Sequence, residues 1–183
     1  MRKLSMEELH RLNKEDYEAV DKLPVIMVLD NIRSLSNVGA VFRSADAFRI
    51  KEVFLCGITA CPPHREIHKT ALGADETVKW RYFETTSAAC KELKSLGYSI
   101  VAVEQVEGSI PLQKFKVTPN TAFVMGNEVE GVSDEVLPFC SSAVEIPQEG
   151  TKHSLNVSVC SGIIMWNSFQ QLFLSGRDGD CTF

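Results

Sequence analysis

The sequence predicts an α/β domain: a mostly parallel six-stranded sheet flanked by helices. Three observations lead there. Short apolar runs recur at 25–30 (VIMVLD), 53–57, 78–83, 99–105, 121–126 and 142–147. Segments with apolar residues at helical spacing separate them, and strands alternating with helices pair in parallel. A chain of 183 residues with 44% hydrophobic and 23% charged residues has the composition of one globular domain with a substantial core.

At the amino end, Ser5 and Glu8 have the spacing of a capping box. Met6, Leu9, Leu12, Tyr17 and Val20 follow at roughly helical intervals, predicting a helix that ends before Pro24. After the first strand, Asn37 is placed to cap a helix over 38–48, with Ala40, Val41, Ala45 and Phe48 inward. Cys61-Pro62-Pro63 breaks the chain before a short helix to Ala71, with Gly73 just past its end. Thr85, Thr86 or Ser87 caps the next helix, which stops at Gly97, and a short helix is expected over 133–137. The last strand leads through Pro147 and Gly150 to Ser154 and Asn156, either able to cap the long apolar segment that reaches Leu174. The chain thus divides into a helical extension (1–23), a single domain (24–174) and a flexible tail (175–183).

No apolar run approaches the ~18 residues of a membrane span, and the first residues carry no hydrophobic signal segment. The six cysteines form no C-x-x-C pair and no cluster with histidine, so reduced thiols in a cytoplasmic, metal-free protein are expected. A net charge of −5 argues against broad, non-specific nucleic-acid binding. The charge is uneven, however: between 31 and 81 there are eight Lys and Arg against five acids, with His64 and His68 added. This stretch is either a solvated surface or a local basic face that includes Arg33, Arg65 and Lys69.

Three polar loops follow strands, where open α/β sheets place ligands. In the first, over 30–46, Asn37 and Arg43 lie on one helix near Arg33. They could hold a phosphate at the helix amino end, or be a cap and a surface charge. In the second, Gly126 and Gly131 have the spacing of a phosphate-binding loop, but Val132 and Ser133 replace its Lys and Ser/Thr. Glu128 and Glu130 would also repel a polyphosphate. No G-x-G-x-x-G follows any strand. The third loop, 146–156, carries Gln148, Glu149, Lys152, His153, Ser154 and Asn156.

Taken together and in order, these loops resemble the SpoU (TrmH) family of RNA ribose 2′-O-methyltransferases, within the SPOUT superfamily. The first motif is Asn37-Val-Gly39-Ala-Val-Phe-Arg43-Ser-Ala. The second is Met125-Gly126-Asn127-Glu128 with Glu130-Gly131-Val-Ser133. The third is Ile146-Pro147 followed by Ser154-Leu155-Asn156-Val157-Ser158. The resemblance spans 24–174 and implies a C-terminal trefoil knot, a homodimer with a shared active site, and S-adenosylmethionine as cofactor. It implies cofactor contacts at Val103, Gly126, Ile146, Ser154 and Leu155. It implies a catalytic Arg43, as base or as a clamp on phosphate and developing alkoxide, with Asn37, Glu128 and Asn156 orienting Arg43, the ribose or the cofactor, or with Glu128 simply anchoring its loop. An arginine is a poor base near neutrality, which favours the clamp.

The expected substrate is tRNA, with ribosomal RNA as the alternative. A non-catalytic RNA-binding module of the same fold is the reading from another class. Residues 163–174 serve either the dimer interface or ordinary core packing. Without the added RNA-binding domain of some relatives, RNA capture is expected from the catalytic domain, its basic face with Arg33, Arg65 and Lys69 as contacts, and the N-terminal helix.

Overall fold

The computed structural model describes residues 1–5 and 7–175. At its centre lies β1 (Leu23–Asp30), in which only Pro24 escapes full burial. So apolar a run can satisfy its backbone and lose its water only inside a sheet covered on both faces. The other strands are β2 (Ile50–Cys56), β3 (Trp80–Phe83), β4 (Ser99–Val103), β5 (Ile110–Pro111), β6 (Thr121–Met125) and β7 (Ser142–Glu145). All pair in parallel, in the order β3-β2-β1-β6-β4-β7-β5.

The helices are α1 (Lys14–Ala19), α2 (Leu35–Ala47), α3 (Arg65–Ala71), α4 (Ala74–Thr77), α5 (Thr86–Ser95) and α6 (Val157–Phe169), which continues as a wider π turn over Gln170–Leu174. Alternate residues of β1 feed two cores. Val25, Met27 and Leu29 pack with Val38, Val41 and Phe42 of α2 and with Ile164 and Met165 of α6. Ile26 and Val28 pack on the other face with Ala89, Cys90 and Leu93 of α5. The C-terminal helix is stitched to the segment before β6 by Gln171, whose side chain accepts from the Val117 N–H and donates to the Phe115 carbonyl.

Where the elements differ from the sequence reading, the reasons are local. A seventh strand, β5, has only two residues, too few for any periodicity, and its Pro111 is tolerated because the strand lies at the sheet edge. The Ser5–Glu8 capping box forms, with Ser5 N–H on Glu8 at 2.8 Å and Glu8 N–H on Ser5 Oγ at 3.3 Å. It opens only a turn, and the helix begins at Lys14 behind its own cap, Asn13. Leu12 stays 41% exposed, so there was too little apolar contact to hold a longer helix. Met6 and 176–183, most of the expected tail, lie outside the described residues. The cap of α2 is Ser34, not Asn37: its hydroxyl accepts from the Asn37 N–H, which leaves the Asn37 side chain free for other work. The expected 133–137 helix is instead a 3₁₀ turn over Leu137–Phe139.

Burial pushes the thiols of Cys56 and Cys90 up to about 12, so they act as small hydrophobes rather than nucleophiles. No helix among the described residues is long and apolar enough to cross a membrane.

The motif glycine Gly39 is a packing residue. A Cβ there would lie 2.0 Å from Thr70 Oγ1 and 2.4 Å from the Ile67 carbonyl oxygen of α3. The threonine could rotate, but the carbonyl is backbone and cannot. Gly39→Ala is therefore expected to destabilise by about 1–3 kcal/mol through overpacking, read as a lower urea midpoint at unchanged slope.

Candidate functional site

The carboxyl end of β1 anchors the site. Asp30 is fully buried, and its carboxylate accepts from Thr86 Oγ1 (2.5 Å), Asn31 Nδ2 (2.9 Å), Ser133 Oγ (2.7 Å) and Ser133 N–H (2.9 Å). A buried carboxylate must be surrounded by donors in this way. These bonds fasten α5 and the chain after β6 to the end of the first strand.

The β6 loop is equally constrained. Asn127, 8% exposed, donates to the Asn31 carbonyl at 2.7 Å, while its side-chain oxygen accepts from the Val129 and Glu130 N–H groups. Gly126 passes so close to the returning chain that a Cβ would sit 2.2 Å from Gly131 C and Val132 N. Gly131 itself has φ +73°, the left-handed region that favours glycine. Both motif glycines are demanded by this doubled-back loop.

Glu128 reaches from that loop to the start of α2. Its carboxylate accepts from the Arg33 N–H (3.1 Å), the Ser34 N–H (3.2 Å) and Asn37 Nδ2 (3.1 Å). Asn37 Oδ1 in turn accepts from Asn156 Nδ2 at 3.1 Å. Asn156 Oδ1 accepts from the Ser158 and Val159 N–H groups and so caps α6. The orientation is set from both ends. A carboxylate can only accept, so Asn37 must present its NH₂ to Glu128 and its oxygen to Asn156, which turns the Asn156 oxygen onto the helix. One polar chain thus joins the three motifs. Burial opposes the charge on Glu128, but the donors from Arg33, Asn37 and Ser34 outweigh it and hold the carboxyl below its ordinary range.

Beside this chain lies a pocket of about 490 Å³. Val103 is at its floor, paired in register with Met125 of β6 and Val144 of β7. Gly126, Ile146, Ser154 and Leu155 line it as well, so all five residues singled out for the cofactor surround one cavity. Glu128 and Asn156 also contribute, whereas Asn37 stands behind them. The lining carries Glu104, Glu128, Glu130 and Glu145 but no Lys or Arg. Among the described residues, no group of three His, Cys, Asp or Glu is arranged to hold a metal.

Arg43 is not part of this assembly. Six residues beyond Asn37, it lies about 9 Å further along α2 and about 120° around it. It is exposed, and its side chain makes no hydrogen bond or ion pair among the described residues. Arg33, Arg65 and Lys69 are exposed too. The sequence reading missed Asp30 as an anchor; its only signal was an acid closing an apolar strand. Glu104 and Gln105, both in the pocket lining, were also missed.

Residues 24–166 match the family model described as the SpoU rRNA Methylase family. The chain belongs to that family. It is 31% identical over 160 residues to a 23S rRNA (guanosine-2′-O-)-methyltransferase, RlmB, of Neisseria meningitidis serogroup B. That alignment covers 87% of this chain but only 64% of the relative. The A. aeolicus TrmH/SpoU tRNA modifying enzyme shares the fold with a TM-score of 0.80 at 25% identity, covering 89% of this chain and 82% of that one. An AdoMet-bound rRNA methyltransferase from Sinorhizobium meliloti superposes with a TM-score of 0.78 at 23% identity, over 86% and 60% of the two chains. At that identity the likeness speaks for the fold.

The Glu128 linkage gives a pH dependence of known sign. Its folded-state pKa is depressed, so its contribution is fully present above the unfolded value of about 4.3 and is lost as pH falls through the lower folded value. Urea unfolding is expected to find Glu128→Gln less stable than the wild type at pH 7, with the gap closing below about pH 4. A gap of constant size down to pH 3 would show that the carboxylate charge does not hold these loops together.

Proposed function

We propose that this chain binds S-adenosylmethionine in the pocket and methylates a ribose 2′-hydroxyl of RNA. The observation that carries this reading is the Glu128–Asn37–Asn156 chain, which gathers the three family motifs around one cavity at the strand ends. The cavity fits the cofactor on its own terms. Its volume lies in the range of roughly 300–1,000 Å³ usual for small-molecule sites. Val103, Met125, Ile146 and Leu155 offer apolar walls, and the carboxylates at its edge suit a positively charged ligand. When bound, the cofactor supplies a methyl group made electrophilic by a cationic sulfur.

The chain's own residues have separable tasks. Gly126, Ile146, Ser154 and Leu155 hold the cofactor with loop backbone and short side chains, and Val103 closes the floor. Asn37, Glu128 and Asn156 keep the two loops in register and orient the ribose. Arg43 binds the RNA phosphate beside the reacting hydroxyl and stabilises the developing alkoxide with its planar pair of donors. Arg33, Arg65 and Lys69 add sequence-independent contacts to the backbone.

Arg43 performs this role across a homodimer, from one subunit toward the pocket of the other. Its exposure and its lack of side-chain partners among the described residues support this, as does the apolar surface left on α6, where Val159 is 53% and Trp166 47% exposed. The family's trefoil knot belongs to the same reading: the chain leaves β7, an inner strand, and returns past the β6 loop to set α6 against α2. So does residence in the cytoplasm, supported by the free cysteines Cys56, Cys61, Cys90, Cys140 and Cys160. We take tRNA as the substrate and ribosomal RNA as the second reading. The tRNA-modifying neighbour is matched over 82% of its length and the ribosomal relative over 64%.

The test is single-turnover methyl transfer from labelled cofactor to bulk tRNA, with ribosomal RNA alongside. Arg43→Ala is expected to lose about 100-fold or more in rate while binding S-adenosylmethionine as the wild type does. Arg43→Lys should rescue poorly, because an ammonium lacks the planar fork. Near-normal turnover by Arg43→Ala would remove the catalytic role. No turnover by the wild type on either RNA, with cofactor bound, would favour a binding module.

Light scattering should report twice the chain mass of 20.3 kDa. Trp166→Glu is expected to shift it toward the monomer and to abolish transfer. A wild-type monomer that methylates at full rate would overturn the shared site.

A further inference from the structure

Two consecutive residues beyond the end of β4 touch both loops that enclose the pocket. Glu104 Oε2 accepts from the Val132 N–H at 3.0 Å, and Glu104 Oε1 accepts from the Gln105 N–H at 2.9 Å. The Gln105 side chain turns the other way and donates Nε2 to the His153 carbonyl at 3.0 Å. The Glu104 backbone N–H is itself bonded to the Val144 carbonyl of β7 at 3.0 Å. The pair therefore stands on the central sheet and grips the 126–132 loop with one side chain and the 146–156 loop with the other. Gly131 is shaped to this grip, since a Cβ there would lie 2.2 Å from Glu104 Oε2.

We propose that Glu104 and Gln105 form a two-sided latch that sets the width of the pocket, and so act as positioning residues for cofactor binding. The proposal rests on the cofactor reading above. The two grips have opposite polarity, and that makes them specific. Glu104 meets two N–H donors, for which a carboxylate with an acceptor on each oxygen is the matching group. A glutamine at 104 would turn an NH₂ group onto one of those donors. Gln105 meets a carbonyl, for which an amide donor is required. A glutamate at 105 would set acceptor against acceptor at a 3.0 Å contact. Neither residue carries much of the fold: Gln105 is exposed and Glu104 half-buried, and both lie outside the two hydrophobic cores.

The latch separates from a merely structural role by where each variant loosens the chain. In ligand-free protein, hydrogen exchange should quicken at 127–132 in Glu104→Gln, and at 150–156 in Gln105→Ala and Gln105→Glu. The rest of the sheet should keep its protection and melting temperature. Calorimetry should find S-adenosylmethionine bound about fivefold to tenfold more weakly by each single variant, the effect expected for one lost hydrogen bond, with Gln105→Glu the worst. In turnover the loss should fall on KM for the cofactor rather than on kcat.

Cofactor binding by the wild type with unchanged affinity in all three variants would overturn the latch while leaving the cofactor reading intact. Exchange quickened evenly across the domain would also overturn it, because the two residues would then be general supports. Failure of the wild type to bind S-adenosylmethionine would overturn the cofactor reading and the latch's part in it together.

Discussion

One carboxylate determines the polarity of the whole site. Glu128 can only accept, so every donor around it is fixed in direction: two backbone N–H groups at the start of α2 and the amide of Asn37. That orientation passes through Asn37 to Asn156 and ends on the first N–H groups of α6. At the far end the N–H groups of α6 can only donate, so they fix the Asn156 oxygen as well, and both ends demand the same direction along the chain. Beneath this chain the buried Asp30 does related work, tying Ser133 and Thr86 to the first strand. The surface carboxylate orients, and the buried one anchors.

The sheet explains why these loops meet at all. The strand order runs outward from β1 to β3 on one side, while the later strands fill the other. The loops after β1 and β6, neighbours in the sheet, are drawn together at the carboxyl ends of the strands by Glu128 and Asn127. The pocket opens beside them, between the loops after β4, β6 and β7, with Val103 of β4 as its floor. Parallel pairing places Met125, Val103 and Val144 side by side across three strands, so a hydrophobic floor follows from register.

Much of this was legible in the sequence, and the exceptions share a cause. The strand at 25–30 was visible because burial on both faces demands an unbroken apolar run. Ser154 and Asn156 were both visible as caps because few residues can open so apolar a helix, and Asn156 takes the role. The five residues chosen to surround a cofactor do line one cavity. What escaped was contingent on tertiary contacts. Ser34 and Asn37 can both cap, and only the position of Glu128, 91 residues away, decides which does. Asp30 reads as an ordinary polar strand end until Ser133 and Thr86 arrive. Gly39 sits in a motif that suggests chemistry, yet its missing side chain makes room for the Ile67 carbonyl. The angular separation of Arg43 from Asn37 follows from helix geometry, but what lies opposite each face does not.

The polar chain also ties together parts of the molecule made at very different times. The Asn37–Asn156 contact spans 119 residues, and Gln171 stitches the last helix to the segment before β6. On the ribosome, the first half of the protein can collapse around β1 and α2 long before its partners exist. No pocket stands open during that interval, since its walls come from residues 103–160. The site is complete only once residues 154–160 have joined it. A chain that stops before residue 154 lacks part of the pocket wall and the Asn156 contact to Asn37. A small molecule that fills the finished pocket joins elements far apart in sequence, and so stabilises the folded chain as a whole by mass action.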